Sequence, residues 1–559
     1  MRSSIKNSWS CDFETTTDPD DARVWAWVAI NIDDNSKRFY GNDIATFMHW
    51  ALEKSRTCYF HNLKFDGSYI LDYSMRNGWE LNKDIKALES GQFNTLISDK
   101  GFFYTMQFKQ GKANLKIIDS LKIINSSVER IAKGWKLPVS KLSINYHEKR
   151  EIGHQLTQEE KDYITNDALI IAIALKSLLE KGMTKITAGS NAFAYYITYC
   201  CGGKKGFRKT FPVPENDTFI RKAYRGGFSY VNPAFQNRIV GTGRVYDVNS
   251  LYPFSLHSPH IYPYGDGVYY TGEYKSNPDY PLFVCHIEVM FHVKHEHLPM
   301  IQLKHTPGYI PTQYVTESRE PVELYLTSVD YALFLDQYEI DYIKHIDGYM
   351  YKARAGMFDS YIDHWYQTKA DSKAAENMAM YQLSKLMLNS FYGKLATNPQ
   401  VASRWPYIDE RENILKYAAG DIETKEPVYI PAGVFCTAYA RDVTIRAAQK
   451  CYDRFMYADT DSLHVIGDYD VPGIKVDDYE LGAFKHESTF TRAKYLRAKL
   501  YIEEINGKLD VKGAGMTSEV KKNVTFDNFE FNTRFPGKLT QRTVPGGIVL
   551  MDTTFTIKG

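Results

Sequence analysis

The chain has 559 residues, of which 44% are hydrophobic and 24% are charged, and its formal net charge is +1. This length exceeds what a single hydrophobic core supports, so we expect several domains with the composition of an ordinary soluble globular protein. The near-zero charge excludes nucleic-acid binding through the overall field, so any such contact must come from local patches.

The seven cysteines are scattered and predict neither a disulfide framework nor zinc knuckles, which favours a reducing compartment. The N-terminus lacks an apolar signal core. The longest apolar run, Ala168 to Leu175, is far too short to span a bilayer, so no targeting segment and no membrane partner are expected.

Two acids, Asp12 and Glu14, alternate along the first predicted strand, Ser10 to Thr16, and therefore share one face. A third acid, Asp66, follows the short apolar strand Cys58 to Asn62, at a position where loops often carry function. Each of these acids taken alone is more typical of a charged surface than of a ligand.

A fourth acid lies on a helix with clear boundary signals. Thr157 and Glu160 form a capping box at its start, and Tyr163 and Asp167 lie one turn apart on one face. Four acids from two strands and a helix, with a tyrosine beside the last, predict a two-metal nuclease site. In this site the acids bind the metals and Tyr163 orients the attacking water.

The second half of the chain carries three further acids on strand-like segments. Asp247 lies near the end of an apolar predicted strand, Val245 to Val248, and Pro253 ends the segment shortly afterwards. Asp459 and Asp461 interrupt another strand-like run, and alternation along a strand would make them converge. Together the three suit two Mg²⁺ ions for in-line phosphoryl transfer. A simple hairpin turn is the alternative for this stretch, since Asp and Thr are common turn residues.

A strongly helical segment, Met357 to Ala396, separates these acids. Lys385, Asn389 and Tyr392 occupy helical spacings that place them on one polar stripe. A cation and a phenol on one face suit a nucleoside triphosphate, with Lys385 on the phosphates and Tyr392 against the base or sugar.

Two stretches exceed simple connections. The chain between Pro253 and Lys385 contains predicted strands at Leu282 to Val289 and Pro299 to Leu303 but no catalytic constellation. The turn-rich stretch from Asn398 to Pro431 predicts a β-hairpin. The residues leave two interpretations of these stretches: insertions on which a partner docks, or structural elaborations without a binding role.

In chain order, these motifs resemble those of phi-twenty-nine-type, protein-primed family B DNA polymerases of bacteriophages. The nuclease acids resemble the motifs of a DnaQ-type 3'-5' proofreading exonuclease. The resembling motifs are Asp12-x-Glu14, Asn62-x-x-x-Asp66, Tyr163-x-x-x-Asp167, Tyr224-x-Gly226-Gly227, Asp247-x-x-Ser250-Leu251-Tyr252-Pro253, Lys385 to Gly393, Asp459-Thr460-Asp461 and Lys499-x-Tyr501.

For the nuclease site, the resemblance implies that Lys141 stabilises the cleaved phosphate. It also implies a set of single-stranded DNA ligands: Thr15, His61, Asn62, Phe65, Tyr69, Ser120, Leu121 and Tyr146.

For the polymerase site, the resemblance places the Val248 carbonyl beside the triphosphate metal and Tyr252 beneath the deoxyribose, where its ring excludes a 2'-hydroxyl. Lys369, preferred over Lys373, would provide a second phosphate contact beside Lys385, and Asn389 and Tyr392 would complete the nucleotide ligands. The implied DNA ligands are Tyr224, Gly226, Gly227, Ser250, Lys499 and Tyr501.

The implied fold is an α/β and α+β multidomain architecture, with an RNase H-like (DnaQ-type) exonuclease domain and a right-hand polymerase domain with two insertions. The expected boundaries are exonuclease 1–187 and polymerase 188–559, the latter divided into palm 188–258 and 429–513, terminal-protein-region insertion one 259–356, fingers 357–396, insertion two 397–428 and thumb 514–559.

The implied function is a protein-primed, strand-displacing DNA-directed DNA polymerase with proofreading, which replicates a linear viral double-stranded DNA genome. Two Mg²⁺ ions per active site are the implied cofactors, and Mn²⁺ can substitute. The implied partners are template and primer DNA, dNTPs and a terminal protein, in the cytoplasm of an infected bacterial host. There are two competing hypotheses. One is a family B polymerase that uses ordinary nucleic-acid primers, and the other is a non-catalytic DNA-binding replication factor.

Overall fold

An eight-stranded mixed sheet forms the N-terminal part of the chain, in the order β3-β2-β1-β4-β8-β7-β6-β5. Its strands are β1 (Ser8–Thr15), β2 (Val24–Asn31), β3 (Arg38–Gly41), β4 (Arg56–Phe60), β5 (Glu80–Leu81), β6 (Gln92–Ile97), β7 (Phe103–Gln110) and β8 (Ala113–Asp119). Strand β4 runs parallel to both β1 and β8, so the carboxyl ends of these three strands lie at one edge of the sheet.

The computed structural model describes residues 5–137, 144–145, 148–303 and 313–559. Two predicted nuclease ligands, Lys141 and Tyr146, lie outside the described residues. None of the helices in the described ranges is long and apolar enough to cross a bilayer.

Four helices cover the first sheet: α1 (Ile44–Leu52), α2 (Leu63–Arg76), α3 (Val128–Gly134) and α4 (Gln158–Leu179). The predicted capping box at the start of α4 is confirmed, since Thr157 accepts from the Glu160 N–H and the Glu160 side chain accepts from the Thr157 N–H. Helix α4 packs on β1 and β2, which brings Tyr163 and Asp167 to the acidic edge of the sheet.

Three short helices lead into the second half of the chain: α5 (Ala188–Tyr195), α6 (Lys204–Thr210) and α7 (Asp217–Lys222). The strands β9 (Ser229–Val231), β10 (Ile239–Val240) and β11 (Gly243–Val248) follow, and then α8 (Leu251–Leu256). Strands β9 and β11 join a five-stranded sheet that later segments complete.

A separate four-stranded sheet, in the order β12-β15-β13-β14, fills the stretch after α8. It contains β12 (Ile261–Thr271), β13 (Leu282–Val293), β14 (Glu317–Thr327), helix α9 (Ser328–Gln337) and β15 (Tyr338–Ala355). The predicted strand at Leu282 is longer than expected. The one predicted at Pro299 to Leu303 is wrong, because only Ile301 forms a β-bridge there, to Val315.

The predicted helical segment consists of α10 (Asp359–Ala374), α11 (Met378–Ser390) and the short α12 (Tyr392–Leu395). The predicted hairpin follows as β16 (Gln400–Asp409) and β17 (Ile414–Thr424).

The remaining elements complete the second half: α13 (Ile430–Gln449), β18 (Phe455–Asp459), β19 (Ser462–Ile466), β20 (Phe484–Phe490), β21 (Arg492–Arg497), β22 (Leu500–Ile505), β23 (Lys508–Gly513), α14 (Ser518–Lys522), β24 (Arg534–Val544) and β25 (Gly547–Thr556). The five-stranded sheet has the order β20-β11-β19-β18-β9, and a second sheet has the order β10-β21-β22-β23. Strands β24 and β25 form a C-terminal hairpin.

One hydrophobic core joins the two halves. It runs from Leu175 on α4 through Tyr196 to Phe391 and on to Phe435 on α13. Because this apolar surface is buried between the halves, their relative position is determined by packing, not by a flexible linker.

The β16–β17 hairpin folds back onto the first sheet. Leu415 is buried in the core beneath β1 and β4, and the Arg76 guanidinium on α2 donates to the side chain and carbonyl of Asn413. A β-bridge joins Ser98 and Ser403. Strand β17 also contacts β24, so the β16–β17 hairpin touches both the first sheet and the C-terminal hairpin.

Candidate active sites

A cavity of about 520 Å³ opens where β1, α2 and α4 meet. It is lined by the predicted nuclease residues Asp12, Glu14, Asp66, Tyr163 and Asp167. We call the four carboxylates among them the first carboxylate site. One wall comes from the C-terminal hairpin, through Leu539, Gln541, Leu550 and Asp552.

The acids of the first carboxylate site reach the cavity by different routes. Asp12 and Glu14 alternate on β1 as predicted, but Asp66 lies in the first turn of α2, not at the end of a strand. Between β4 and α2, Asn62 adopts a left-handed conformation (φ 74°) that turns the chain sharply. Burial, followed by the charge of Asp12, raises the pKa of Asp66 well above its usual value. Such a crowded carboxylate favours a bound cation.

Asp119 is a further carboxylate at this edge that the sequence analysis missed. It ends β8, accepts the N–H groups of Asn62 (3.1 Å) and Leu121 (3.0 Å), and adds to the repulsion felt by Asp66. An acid that follows the apolar residues Ile117 and Ile118 at a strand end is the signal that could have identified it.

Several predicted single-strand ligands line the same cavity: Thr15, His61, Asn62 and Phe65. Ser120 lies behind them, with its hydroxyl 3.0 Å from His61 Nδ1 and 3.0 Å from the Phe60 carbonyl oxygen, and Leu121 follows it in the same turn.

Tyr69 differs from the other predicted ligands. Its ring is buried, and its hydroxyl donates to the Ile548 carbonyl on β25 at 2.6 Å. The opposing Gly547 has no room for a Cβ, which would lie 2.4 Å from the Tyr69 ring. Tyr69 therefore joins helix α2 to the C-terminal hairpin and is not among the residues that line the cavity.

Asp247, Asp459 and Asp461 form the second carboxylate site, in the five-stranded sheet. Asp459 ends β18 and pairs with Ser462, which begins β19 and also pairs with Asp247 on β11. Thr460 (φ 66°) and Asp461 form the turn between the two strands. The prediction that Asp459 and Asp461 share a face of one strand is therefore wrong, because the turn brings them together. The hairpin alternative and the acidic site are both present.

The acids of the second site have different surroundings. Burial, then the charges of Asp461 and Glu487, raises the pKa of Asp247 to about 7. Burial also raises the pKa of Asp461, whose backbone carbonyl accepts the Val248 N–H at 2.8 Å. The charge of Asp461 therefore contributes to the raised pKa of Asp247, and carboxylates crowded in this way favour a bound cation.

Asp459 is held by protein groups instead. Its Oδ1 accepts the Ser229 hydroxyl at 2.7 Å and lies 3.4 Å from Lys499 Nζ. This placement suits a supporting carboxylate. Neither Ser229 nor Glu487 was singled out from the sequence, since a lone Ser and a lone Glu carry no spacing signal.

The paired glycines of the Tyr224 motif have distinct surroundings. A Cβ on Gly227 would lie 2.6 Å from the Thr460 side chain, whereas a Cβ on Gly226 would meet no atom within 4 Å. The Gly227 backbone thus closely approaches the acidic turn, and the Thr460 N–H donates to the Phe228 carbonyl at 2.7 Å. Only Gly226 has open space for an approaching strand.

Two lysines converge next to the second site. Lys369 Nζ lies 3.3 Å from the Ser250 hydroxyl, and burial followed by the charges of Lys385 and Lys373 lowers the pKa of Lys369 to about 8. Lys373 lies 5.4 Å from the ring of Tyr479. Lys369 therefore shares a cluster of positive charge with Lys385, as an anion site requires.

The rings of Tyr252 and Tyr392 stack with centroids 3.9 Å apart. Helix α11 ends at Ser390, so Tyr392 begins a separate short helix, and the predicted continuous stripe is interrupted there. Lys385 and Asn389 remain on α11 and are exposed. A sugar placed on Tyr252 would need the two rings to separate.

The donor sets fit divalent cations. Among the residues that the structure describes, no three acidic, histidine or cysteine side chains form a complete metal cage. Mg²⁺ does not require one, because it keeps several waters and binds one or two carboxylates together with substrate phosphates. Crowded carboxylate pairs of raised pKa match that preference.

One chain thus contains two acidic centres of different architecture, one at a sheet edge of nuclease type and one on a palm-like hairpin. That pairing is typical of replicative DNA polymerases that carry their own 3'-5' exonuclease. Comparison with known proteins gives the family: the model for DNA polymerase type B, organellar and viral, matches residues 51–155 and 143–476, and the chain belongs to this family.

Phage polymerases are similar to this chain over its full length. The DNA polymerase of Bacillus phage phi29 is 43% identical over 100% of both chains, and that of Streptococcus phage Cp-1 is 33% identical over 98% of both. The structure of phi29 DNA polymerase complexed with primer-template DNA matches with a TM-score of 0.92, at 41% identity, over 99% of this chain and 100% of that one.

These comparisons confirm the predicted family resemblance and the multidomain exonuclease-plus-polymerase fold. The chain is a DNA-directed DNA polymerase with a 3'-5' exonuclease, and its chemistry depends on divalent metal ions.

The contact between Gly227 and Thr460 can be tested by substitution. Gly227→Ala forces a methyl group against the acidic turn and should lower the free energy of unfolding by about 1–3 kcal/mol, as overpacking does. Gly226→Ala, which has open space, should leave stability within about 0.5 kcal/mol of the parent. Chemical denaturation of both variants measures the difference, and equal effects would show that the close approach does not matter.

Proposed function

We propose that this chain is the protein-primed, strand-displacing replicative polymerase of a bacteriophage with a linear double-stranded DNA genome. The observation that carries the proposal is the β16–β17 hairpin, which contacts both the first sheet and the C-terminal hairpin. We propose that these elements close around the DNA, and a strand enclosed in this way leaves slowly, which supports long synthesis without a separate clamp. Phage relatives further support action in the cytoplasm of an infected bacterium.

The proposed division of the chain follows the expected boundaries. Residues 1–187 would form the exonuclease domain and 188–559 the polymerase domain. The two inserted segments, 259–356 and 397–428, then correspond to the four-stranded sheet and to the β16–β17 hairpin.

In the proposed polymerisation site, Asp247, Asp461 and the Val248 carbonyl would hold two Mg²⁺ ions, with Asp459 in support. Bound metal would lower the pKa of the primer 3'-hydroxyl and stabilise the charge that develops on the leaving pyrophosphate. Lys369 and Lys385 would neutralise the triphosphate oxygens of the incoming dNTP.

Three polymerase side chains would select and hold the substrates. On nucleotide binding, the ring of Tyr252 would separate from the stacked ring of Tyr392, lie under the sugar and exclude a 2'-hydroxyl. Lys499 and Tyr501 would hold the primer terminus beside Asp459, consistent with the ion pair between Lys499 and Asp459.

In the proposed proofreading site, Asp12, Glu14, Asp66 and Asp167 would hold the metals and Tyr163 would orient the attacking water. Thr15, Asn62 and Phe65 would bind the single-stranded 3' end of the primer. The structures of phi29 DNA polymerase with primer-template DNA, with incoming nucleotide substrates and with single-stranded DNA support these substrate classes for this chain.

A terminal protein is the proposed source of the first hydroxyl, and insertion one is its proposed docking region. This insertion is tied to the palm by a buried ion pair between Asp330 on α9 and Arg441 on α13, at 2.8 Å. Arg441 also donates to the carbonyls of Arg225 and Gly226 in the Tyr224 motif, at 2.8 Å each. A protein bound to the insertion would therefore lie close to the Tyr224 motif, along which we expect the primer to pass.

The two carboxylate sites should be separable by mutation. Asp461→Ala should reduce primer extension by about a thousandfold, since metal binding contributes several kcal/mol, yet leave degradation of single strands. Asp12→Ala combined with Asp66→Ala should do the reverse. Asp453→Ala, an exposed acid just before β18, is the control. Loss of both activities in a folded single-site variant would contradict two independent sites.

Protein priming is tested by supplying a labelled dNTP with either the terminal protein recovered from the viral genome ends or a primed oligonucleotide. We expect labelled dNMP on the protein as well as extension of the oligonucleotide. Extension of the oligonucleotide alone would instead favour an ordinary nucleic-acid primer, and label on neither would favour a non-catalytic replication factor.

The hairpin's role is tested at Leu415, which is buried against the first sheet. Leu415→Ala should weaken the free energy with which the hairpin docks on the first sheet by about 2–5 kcal/mol. The DNA products on a template with a downstream duplex should therefore be shorter. Ile422 lies on the same strand and is 71% exposed, so Ile422→Ala serves as the matched control. Unchanged product length with Leu415→Ala would remove the hairpin from strand displacement.

A further inference from the structure

A glutamate and a histidine face each other directly behind the second carboxylate site. Glu503 on β22 and His464 on β19 have side chains that are 3% and 2% exposed, and Glu503 Oε1 lies 2.6 Å from His464 Nδ1. The Tyr495 hydroxyl donates to the same oxygen at 2.7 Å. Because a carboxylate only accepts, the Nδ1 atom of His464 carries a proton. The pair joins the five-stranded sheet to the sheet that contains β21 and β22.

Buried pairs of this kind are a weak source of stability. The loss of hydration of both groups offsets most of their mutual attraction, and apolar residues of similar volume would hold two sheets together at least as well. The directional bonds of the pair, by contrast, fix the orientation of the imidazole ring. The function of the pair therefore depends on what that ring holds in place.

One line of contacts leads from the pair to the acidic hairpin. His464 Nε2 lies 3.3 Å from the Ser462 hydroxyl oxygen, which accepts the Asp459 N–H at 3.2 Å. Ser462 is the residue that pairs with both Asp459 and Asp247. Glu503 thus orients His464, and His464 contacts the serine that closes the acidic turn.

A second line of contacts leads to the Lys499 turn. The ring of His464 packs 5.0 Å from Tyr457 and 5.4 Å from Tyr501, measured between centroids. The Tyr457 hydroxyl accepts the Lys499 N–H at 2.9 Å, and Lys499 adopts a left-handed conformation (φ 63°). The ring cluster around Glu503 therefore supports the strained turn from which Lys499 reaches Asp459.

We propose that Glu503 and His464 are positioning residues for polymerisation, which hold the Lys499–Tyr501 turn in fixed register with the Asp459–Ser462 hairpin. Neither residue touches the substrate. They determine where the primer terminus lies relative to the acids. Its position in turn sets the fraction of binding events in which the terminus is extended and is not transferred to the exonuclease site. This inference rests on the proposed polymerisation site.

The test measures the balance between the two activities on a primed template. Glu503→Gln keeps the size of the side chain but removes its charge, so the dNTP concentration at which net degradation turns into net extension should rise about tenfold. Degradation of single-stranded DNA should keep its parental rate. Tyr495→Phe removes only the second donor and should shift the balance in the same direction by a smaller factor. Glu503→Asp, which retains the charge, should recover part of the loss.

Glu504→Gln is the matched control. It makes the same chemical change one residue away on the opposite face of β22, where Glu504 pairs with Arg492, and should leave the balance unchanged. An unchanged balance in Glu503→Gln, or an equal fall of both activities, overturns the positioning role. Failure of the polymerisation site itself would appear separately, as retained extension in Asp461→Ala.

Discussion

Repulsion between carboxylates that are crowded into partly buried space is the constraint around which both sites are built. In each site the raised pKa of one acid reflects the charge of an acid from a different segment: Asp12 for Asp66, and Asp461 for Asp247. Burial and this repulsion raise the pKa of Asp66 and of Asp247, so the carboxylates favour a bound cation, and a flexible chain would relax by moving them apart. The surrounding strands therefore have to be rigid enough to hold the acids together.

The chain achieves this rigidity at a few unusual backbone positions. Four non-glycine residues of left-handed conformation lie at the sites: Asn62, Ser250, Thr460 and Lys499. Each turns the chain abruptly where a strand ends or a hairpin closes, and each must be stabilised by its neighbours, since such conformations are unfavourable for residues with a side chain. The Phe228 carbonyl for Thr460 and the Tyr457 hydroxyl for Lys499 supply that support.

Much of the architecture could be predicted because it is encoded locally. Alternation on β1, the capping box before α4 and the turn-rich β16–β17 segment are patterns of neighbouring residues, and the structure contains all three. Contacts between distant segments could not be read this way. The turn at Asp461 depends on Gly227, more than 200 residues earlier in the sequence, and the burial of Tyr69 depends on Gly547 at the other end of the chain. Asp119 carries a local signal, as an acid at a strand end, but its position beside Asp66 arises from the parallel pairing of β4 with β8.

The exonuclease part of the fold is also a structural part of the polymerase. It supplies the surface on which Leu415 of the β16–β17 hairpin is buried, and it anchors the C-terminal hairpin through Tyr69 and Ile548. Its helix α4 shares the core that contains Phe391, which precedes Tyr392, a proposed nucleotide ligand. Removing the exonuclease domain would therefore expose that apolar core to water and take away the surface on which the β16–β17 hairpin docks. We expect mutations of the two sets of carboxylates to separate proofreading from synthesis, but the two parts of the fold share one core and are not separable as pieces of structure.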